Sequence, residues 1–300
     1  MKMEFRVLKY FLTVAREENI TKASDVLHIT QPTLSRQLAQ LEEDLGVSLF
    51  ERGTRKITLT DEGILLRRRA EEIINLVDKT EAELLEEDKN LAGNICFGCG
   101  ELSAMQILID IMAGFHQEHP LVTYDLFTGT ADVVKERMEK GLIDIGLMME
   151  PLDMSHFEFI RLKSLEKWGL IMRSDDPLAS KAGLTAADLA AKPLIYTRRF
   201  REDADLRAWF GSYYDNLNIF MTSNLPTNAA MMVYNGLGYA VTIEGVKYLW
   251  DSSKVVFRPF EPVVGEQTAL FWRRQLPLSP TVDSFISFAK CFLSMHKHKI

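Results

Sequence analysis

Residues 20–60 read ITKASDVLHITQPTLSRQLAQLEEDLGVSLFERGTRKITLT. Two short helices and a hairpin can be read from this stretch. Ile20-Thr21 opens the first helix, with Thr21 as its expected N-cap and Ala23, Val26 and Leu27 facing inward. His28-Ile29-Thr30 breaks it. Thr30 is the next expected N-cap, and Pro32 is tolerated because it falls in the first turn. The following helix runs from Gln31 to about Leu45, buries Leu34, Leu38 and Leu41, and stops at Gly46. Gly53-Thr54 then marks a turn between two short extended pieces, in which Ile57 and Leu59 alternate with polar residues. Upstream, Phe5, Leu8, Phe11, Leu12 and Ala15 recur at helical spacing. The sum is a winged helix-turn-helix.

In that architecture the second helix of the pair enters the major groove, with its N-terminal residues against base edges. Here those residues are TQPTLSRQ. Gln31, Thr33, Ser35, Arg36 and Gln37 are polar, whereas Leu34 and Leu38 lie on the other face. Gln pairs well with adenine, Arg with guanine, and Thr or Ser with bases or phosphates. Arg52, Arg55 and Lys56 sit at the hairpin tip, where cations suit the minor groove or flanking phosphates. The net charge is −7, so nucleic-acid binding requires such a local basic patch. A solvated polar helix face and a charged turn would account for each feature singly. Their joint spacing favours DNA.

Thr60 is placed to cap a long helix, with Asp61 and Glu62 in its first turn, where the macrodipole favours acids. The helix is expected to reach about Leu91. Leu66, Ala70, Ile73, Val77, Thr80 and Leu84 form a coiled-coil-like seam, and its length and charge favour a partner helix over self-packing. From Asn94 the texture changes. Strand-like runs (NICFG, LVTYDLF, IDIGLMM, WGLIMR, PLIYT, NIFMTS, YAVTI, TALFWRR) alternate with helical ones, which implies a parallel sheet covered by helices.

Three hundred residues exceed what one core usually serves. The expected parts are a winged helix-turn-helix at 1–61, a linker helix at 62–90 and an α/β domain at 91–300. No stretch is long and apolar enough to cross a membrane. Charged residues occupy the place of a signal-peptide cleavage site, and three cysteines make no disulfide framework. A cytoplasmic location is therefore expected, with no membrane partner.

NICFGCGELS, residues 94–103, holds two lookalikes. Cys96 and Cys99 resemble a metal or redox pair, but a strand would send them to opposite faces, and no further ligands are evident; HKH at 296–298 reads as a basic tail. No metal is expected. Gly98-x-Gly100-x-x-Ser103 approaches a dinucleotide fingerprint, yet its third glycine is missing and the nearest suitable acid, Asp125, is mid-strand. Gly236-x-Gly238 follows a helix and precedes a strand, the wrong order for cradling phosphate. No cofactor and no catalytic motif is expected, so the chain is read as a non-enzyme.

Residues 3–63, with TQPTLSRQ, LEEDLGVSLFER and LT..G in register, resemble the DNA-binding region of the LysR-type transcriptional regulators. LAGNICFG, FHQEHP, GLIDIGLM, DDPLA and VYNGLGYAV resemble the family's effector domain more loosely, in the correct order. Two departures stand out: Ser24 where Ala is usual, and VTIEG where Leu-Pro often ends the strand. The resemblance implies an effector domain of two Rossmann-like subdomains, of the periplasmic-binding-protein type 2 kind. Subdomain I would comprise 91–164 and 268–300, subdomain II 165–267. It also implies a homotetramer built from dimers through the linker helices. Partners would be an operator, a small-molecule effector and further copies of the chain. On the DNA side, Thr21, Lys22, Thr30 and Pro32 join the residues named above.

In an open α/β sheet, ligands sit at the carboxyl ends of strands. The first such end is Cys99, Gly100, Glu101 and Ser103, where the next helix is expected to offer free amides to an anion; Glu101 opposes that and could select an amine. The resemblance adds Thr128, Gly129 and Thr130, then Thr197, Arg198 and Arg199, and Thr242. The arginines either clamp an anion or belong to a solvated charge run. Cys99 is either a small core residue or a thiol sensor, the former favoured because no neighbouring cation lowers its pKa. The rivals are a small-molecule binding protein, or an α/β enzyme, whose N-terminal domain only oligomerises.

Overall fold

A computed structural model describes residues 4–52, 57–85, 91–150, 155–197, 204–248, 250–274 and 278–295. The chain divides into two compact units, Met1–Leu85 and Glu86–Ile300.

The first unit contains α1 (Phe5–Glu17), α2 (Ile20–Val26), α3 (Gln31–Leu45), β1 (Phe50–Arg52), β2 (Ile57–Leu59) and α4 (Asp61–Leu85). α3 has the expected bounds. Leu34, Leu38 and Leu41 are buried, and Gly46 closes the helix in the left-handed region at φ 69°. β1 and β2 pair antiparallel as the wing. Glu42 on α3 fastens it, its carboxylate accepting the Leu49 and Phe50 amides at 2.7 and 3.2 Å. Thr60 caps α4 by accepting the Gly63 amide at 3.0 Å.

Four expectations are corrected here. α2 is capped by Asn19, whose side chain accepts the Lys22 amide at 3.0 Å, so Thr21 lies inside the helix. Val26 is exposed, and buried Ser24 takes its place beside Ala23. On α1, Val7 and Val14 join Leu8 and Phe11 in the core while Phe5 is exposed. The seam of α4 is also divided. Ala70 and Ile74 are buried in the core of this unit, with Leu66 packed against it, whereas Leu65, Ile73 and Leu76 stay exposed on another side.

The second unit is one nine-stranded mixed sheet. Its first half holds β3 (Gly93–Cys99), α5 (Met105–Glu118), β4 (Val122–Thr128), α6 (Ala131–Glu139) and β5 (Ile145–Met149). β6 (Phe157–Arg173) leads into a second half with α7 (Ala186–Leu189), β7 (Leu194–Thr197), α8 (Ala204–Phe210), β8 (Ile219–Ser223), α9 (Pro226–Tyr234), β9 (Tyr239–Ile243) and β10 (Val255–Pro259). β11 (Gly265–Arg273) returns, and α10 (Pro280–Met295) closes the chain. Strand order is β4-β3-β5-β11-β6-β9-β7-β8, with β10 also on β6.

The all-parallel expectation is therefore corrected. β3, β4 and β5 are mutually parallel, as are β7, β8 and β9, but β6 and β11 run antiparallel between the two groups. They are the two crossings, side by side, with Gln267 opposite Leu165 and Glu266 opposite Glu166. α10 packs back on the first half: Phe285 meets Phe97 and Phe115 with ring centroids 5.1 and 5.2 Å apart. On the other sheet face Val134, Met138, Ile143 and Phe271 form a smaller core. Each such buried aliphatic or aromatic side chain contributes about 1.5–3 kcal/mol relative to exposure.

Candidate functional site

In the first unit, Thr21 and Lys22 lie on the exposed first turn of α2. Thr30, Gln31, Pro32, Thr33 and Arg36 are exposed at the start of α3, and Ser35 and Gln37 are half-buried beside them. The fold therefore gathers these residues on one surface, opposite Leu34 and Leu38. Local bonds orient them. The Gln31 amide donates to the Ser35 hydroxyl at 3.1 Å, and the Thr30 and Thr33 hydroxyls share a bond of 2.8 Å. Thr30 thus occupies the cap position without its side chain capping a backbone amide. Arg36 makes no ion pair among the described residues, which leaves its guanidinium available to a base or phosphate. The side chain of Arg52, and Arg55 and Lys56 entirely, lie outside the described residues.

In the second unit, the carboxyl end of β3 meets the second half of the sheet. Cys99 is buried beneath it, facing the same side as Ile95 and Phe97, with Cys96 on the other. Burial raises the Cys99 thiol pKa; a Thr128 hydrogen bond opposes the rise and the Glu101 charge adds to it. The thiol is held neutral, the opposite of what a reactive cysteine needs. Gly98 is small because a Cβ there would lie 2.6 and 2.7 Å from Ile143 and Val134. Gly236 and Gly238 adopt φ 79° and 141° in the turn after α9. Both glycine lookalikes are packing and turn positions.

Glu101 is not a free carboxylate. Its two oxygens accept the Thr227 amide at 2.8 Å and the Thr227 hydroxyl at 2.5 Å, in the first turn of α9. Ser103 donates its amide and hydroxyl to one oxygen of Glu166, at 2.8 and 2.5 Å, and the Gly245 amide donates to the other at 2.6 Å. Glu166 is fully buried. Burial raises its pKa, three hydrogen bonds oppose the rise, and the Glu244 charge adds to it. Glu244 is itself paired with Lys247 and Lys167.

These contacts correct the expected anion cradle on α5. The Ser103 amide goes to Glu166, and the amides of Met105, Gln106 and Ile107 bond to the carbonyls of Leu102, Ser103 and Ala104. The helix start that receives a carboxylate is that of α9. Gly129 and Thr130 follow β4 as expected: the Gly129 amide donates to the Cys99 carbonyl at 2.9 Å, and Thr130 stands at the cap position of α6. Thr128 is exposed at the end of β4, and Gly100 is half-buried after β3. Thr242 is buried on the sheet face that α9 covers, shared with Ile171 and Ala240, and its hydroxyl has no hydrogen-bond partner among the described residues. The Thr197 side chain, with Arg198 and Arg199, lies outside the described residues.

Sequence reasoning missed Glu166, Thr227 and Gly245. Glu166 stands in SLEKWG, where one glutamate among lysines resembles a surface charge. The alternation of the strand, with Trp168, Leu170 and Met172 buried on the same side, is the signal that could have found it.

Two family descriptions match the chain: "Bacterial regulatory helix-turn-helix protein, lysR family" over residues 5–64 and "LysR substrate binding domain" over residues 88–293. Among curated relatives, the uncharacterized HTH-type transcriptional regulator YybE of Bacillus subtilis (strain 168) is 29% identical over 94% of this chain and 97% of its own. The Hca operon transcriptional activator HcaR of Escherichia coli (strain K12) is 26% identical over 96% of this chain and 97% of its own. Among solved structures, full-length CbnR complexed with its target DNA superposes with a TM-score of 0.72 at 22% identity, covering 96% of this chain and 99% of that one.

Proposed function

Because the chain belongs to the LysR family of DNA-binding transcriptional regulators, and is not an enzyme, we propose that the start of α3 reads its operator. The observation that carries this is the exposed cluster of Gln31, Thr33 and Arg36 on a helix whose opposite face is buried through Leu34 and Leu38. Thr21 and Lys22 on α2 would contact phosphates, and the wing the flanking backbone.

The second unit would take a small-molecule effector in the cleft between its two halves, at the strand ends that carry Gly100, Glu101, Thr128, Thr130 and Thr242, to which the family resemblance adds Thr197, Arg198 and Arg199. No cofactor or metal is proposed. Cys99, buried and neutral, is a packing residue rather than a sensor. Exposed Leu65, Ile73 and Leu76 on α4 would pair with a second copy, giving dimers and then tetramers. With no helix among the described residues able to span a membrane, the protein would act in the cytoplasm on an operator of inverted symmetry. An effector shifts the equilibrium between assembly states only as far as it binds them differently.

The test is selection of duplexes from a randomised pool by the full chain. An enriched motif of inverted symmetry is expected. Arg36→Ala should flatten preference at one position per half-site, at a cost of about 1–3 kcal/mol. Enrichment of no motif, with binding set by salt alone, would defeat the proposal.

A further inference from the structure

The start of α9 already receives a carboxylate belonging to the chain itself, that of Glu101. We propose that Glu101 is a tethered stand-in for an anionic effector, latching the two halves of the second unit together until a carboxylate ligand takes its place at the start of α9. This rests on the reading of the second unit as an effector domain and assigns the chemistry of its site.

Glu101 leaves the end of β3, in the first half, and reaches Thr227, in the second. Both of its oxygens are used, one on a backbone amide and one on a hydroxyl, as an anion at a helix N-terminus would be held. α9 lies between the parallel strands β8 and β9, so it runs opposite to them and its first turn overlies the carboxyl end of β9. Thr242 stands at that end, 1% exposed, its hydroxyl without a partner among the described residues. The sheet beneath the start of α9 thus carries one buried polar group that Glu101 does not satisfy, a group a ligand larger than a side-chain carboxylate would engage.

The latch is seated firmly. A Cβ at Gly245 would lie 2.6–2.7 Å from backbone atoms of Glu101, Leu102 and Ser103. Glycine there lets the loop after β3 press against the second half, and Glu166 ties the same loop through Ser103. The loop has two attachments of different kinds. Ser103–Glu166–Gly245 sits at the crossing strands and is a fixed pivot. Glu101–Thr227 ties the same loop to a helix start rather than to a crossing strand, and is the contact that can be exchanged. A tethered carboxylate has an effective concentration on the order of millimolar or more, so simple acetate should not displace it. An effector must add contacts, for which the Thr242 hydroxyl is available.

The experiment uses the full chain, with acetate as probe against chloride at equal ionic strength and pH. Glu101→Ala empties the α9 position. Acetate should raise the thermal midpoint of E101A and leave the wild type unmoved. Thr227→Val, which keeps the side-chain shape, should speed amide exchange in both 100–106 and 223–230 by about tenfold or more, the worth of a hydrogen bond to a charged group. Where E101A fails to fold, Thr227→Val supplies the exchange readout by itself. Acetate acting equally on E101A and wild type, or exchange rising in only one of the two segments, would overturn the latch. Wild-type chain that selects no DNA would overturn the regulatory reading instead and leave the acetate result standing.

Discussion

Replacing Glu166 with Gln tests how the two crossing strands are held. The carboxyl group is fully buried and faces only donors: the Ser103 amide and hydroxyl on one oxygen, the Gly245 amide on the other. A protonated carboxyl can satisfy this arrangement, because its O–H can donate to the Ser103 hydroxyl while both oxygens still accept amides. Gln cannot. Whichever way its amide points, the NH2 meets a backbone N–H, and either Gly245 or Ser103 is orphaned. One buried unsatisfied amide costs about 1–3 kcal/mol. For a domain of this size, that lowers the melting temperature by about 2–4 °C per kcal/mol. The pH dependence has a definite sign. Burial raises the Glu166 pKa above its unfolded value, so the folded unit binds the extra proton. Its contribution is complete below the ordinary carboxylate range and declines as pH rises through the raised value. The gap between wild type and Glu166→Gln is thus widest below the ordinary carboxylate range and narrows as pH rises from there through the raised value. Scanning calorimetry of the full chain across that range follows the second unit's transition. A Gln variant as stable as wild type at the acidic end of that range, or a gap that widens with pH, would refute the reasoning.

Three further outcomes follow from local geometry. Gly63→Ala places a Cβ 2.1 Å from the Leu49 carbonyl oxygen; the first unit should lose about 1–3 kcal/mol, read as an earlier melting transition. Ser24→Ala removes only a hydroxyl that donates to the Thr21 carbonyl at 2.7 Å, so it should change stability by less than about 1 kcal/mol; a larger loss would mean the hydroxyl has another role. Cys291 is exposed and Cys99 buried, so timed thiol labelling with peptide mass spectrometry should mark Cys291 first and Cys99 only after denaturation. Early labelling of Cys99 would revive it as a sensor.

Much of the first unit is written in local signals. Gly46, Pro32 and the Leu34–Leu38–Leu41 spacing are enough to define α3, because caps and helical periodicity act within a few residues. α2 escaped at one end because two polar residues, Asn19 and Thr21 on either side of Ile20, could cap it, and only the extended backbone at Asn19 decides between them. In the second unit, β6 was legible only as WGLIMR. Its first part, FEFIRLKS, mixes charge with apolar residues because it is paired by β11, about a hundred residues on. β10 was missed for the same reason. The strand ends that form the cleft were predictable from βαβ order. What they touch was not: Ser103–Glu166 and Glu101–Thr227 join positions 63 and 126 residues apart, and no local pattern encodes such a meeting.

The return of β11 and α10 to the first half has a consequence for biosynthesis. The face of β3 and α5 that carries Phe97 and Phe115 is covered by Phe285, and β5 gains its outer neighbour only from β11. While the ribosome is still adding residues 157–264, this half is an unfinished sheet with an uncovered aromatic surface. The winged-helix unit closes its core within its own 85 residues and can fold as soon as it emerges. Vectorial synthesis therefore yields a finished DNA-reading head tethered to a nascent, adhesive regulatory half. Chaperone demand, and sensitivity to premature stops, should concentrate in that interval.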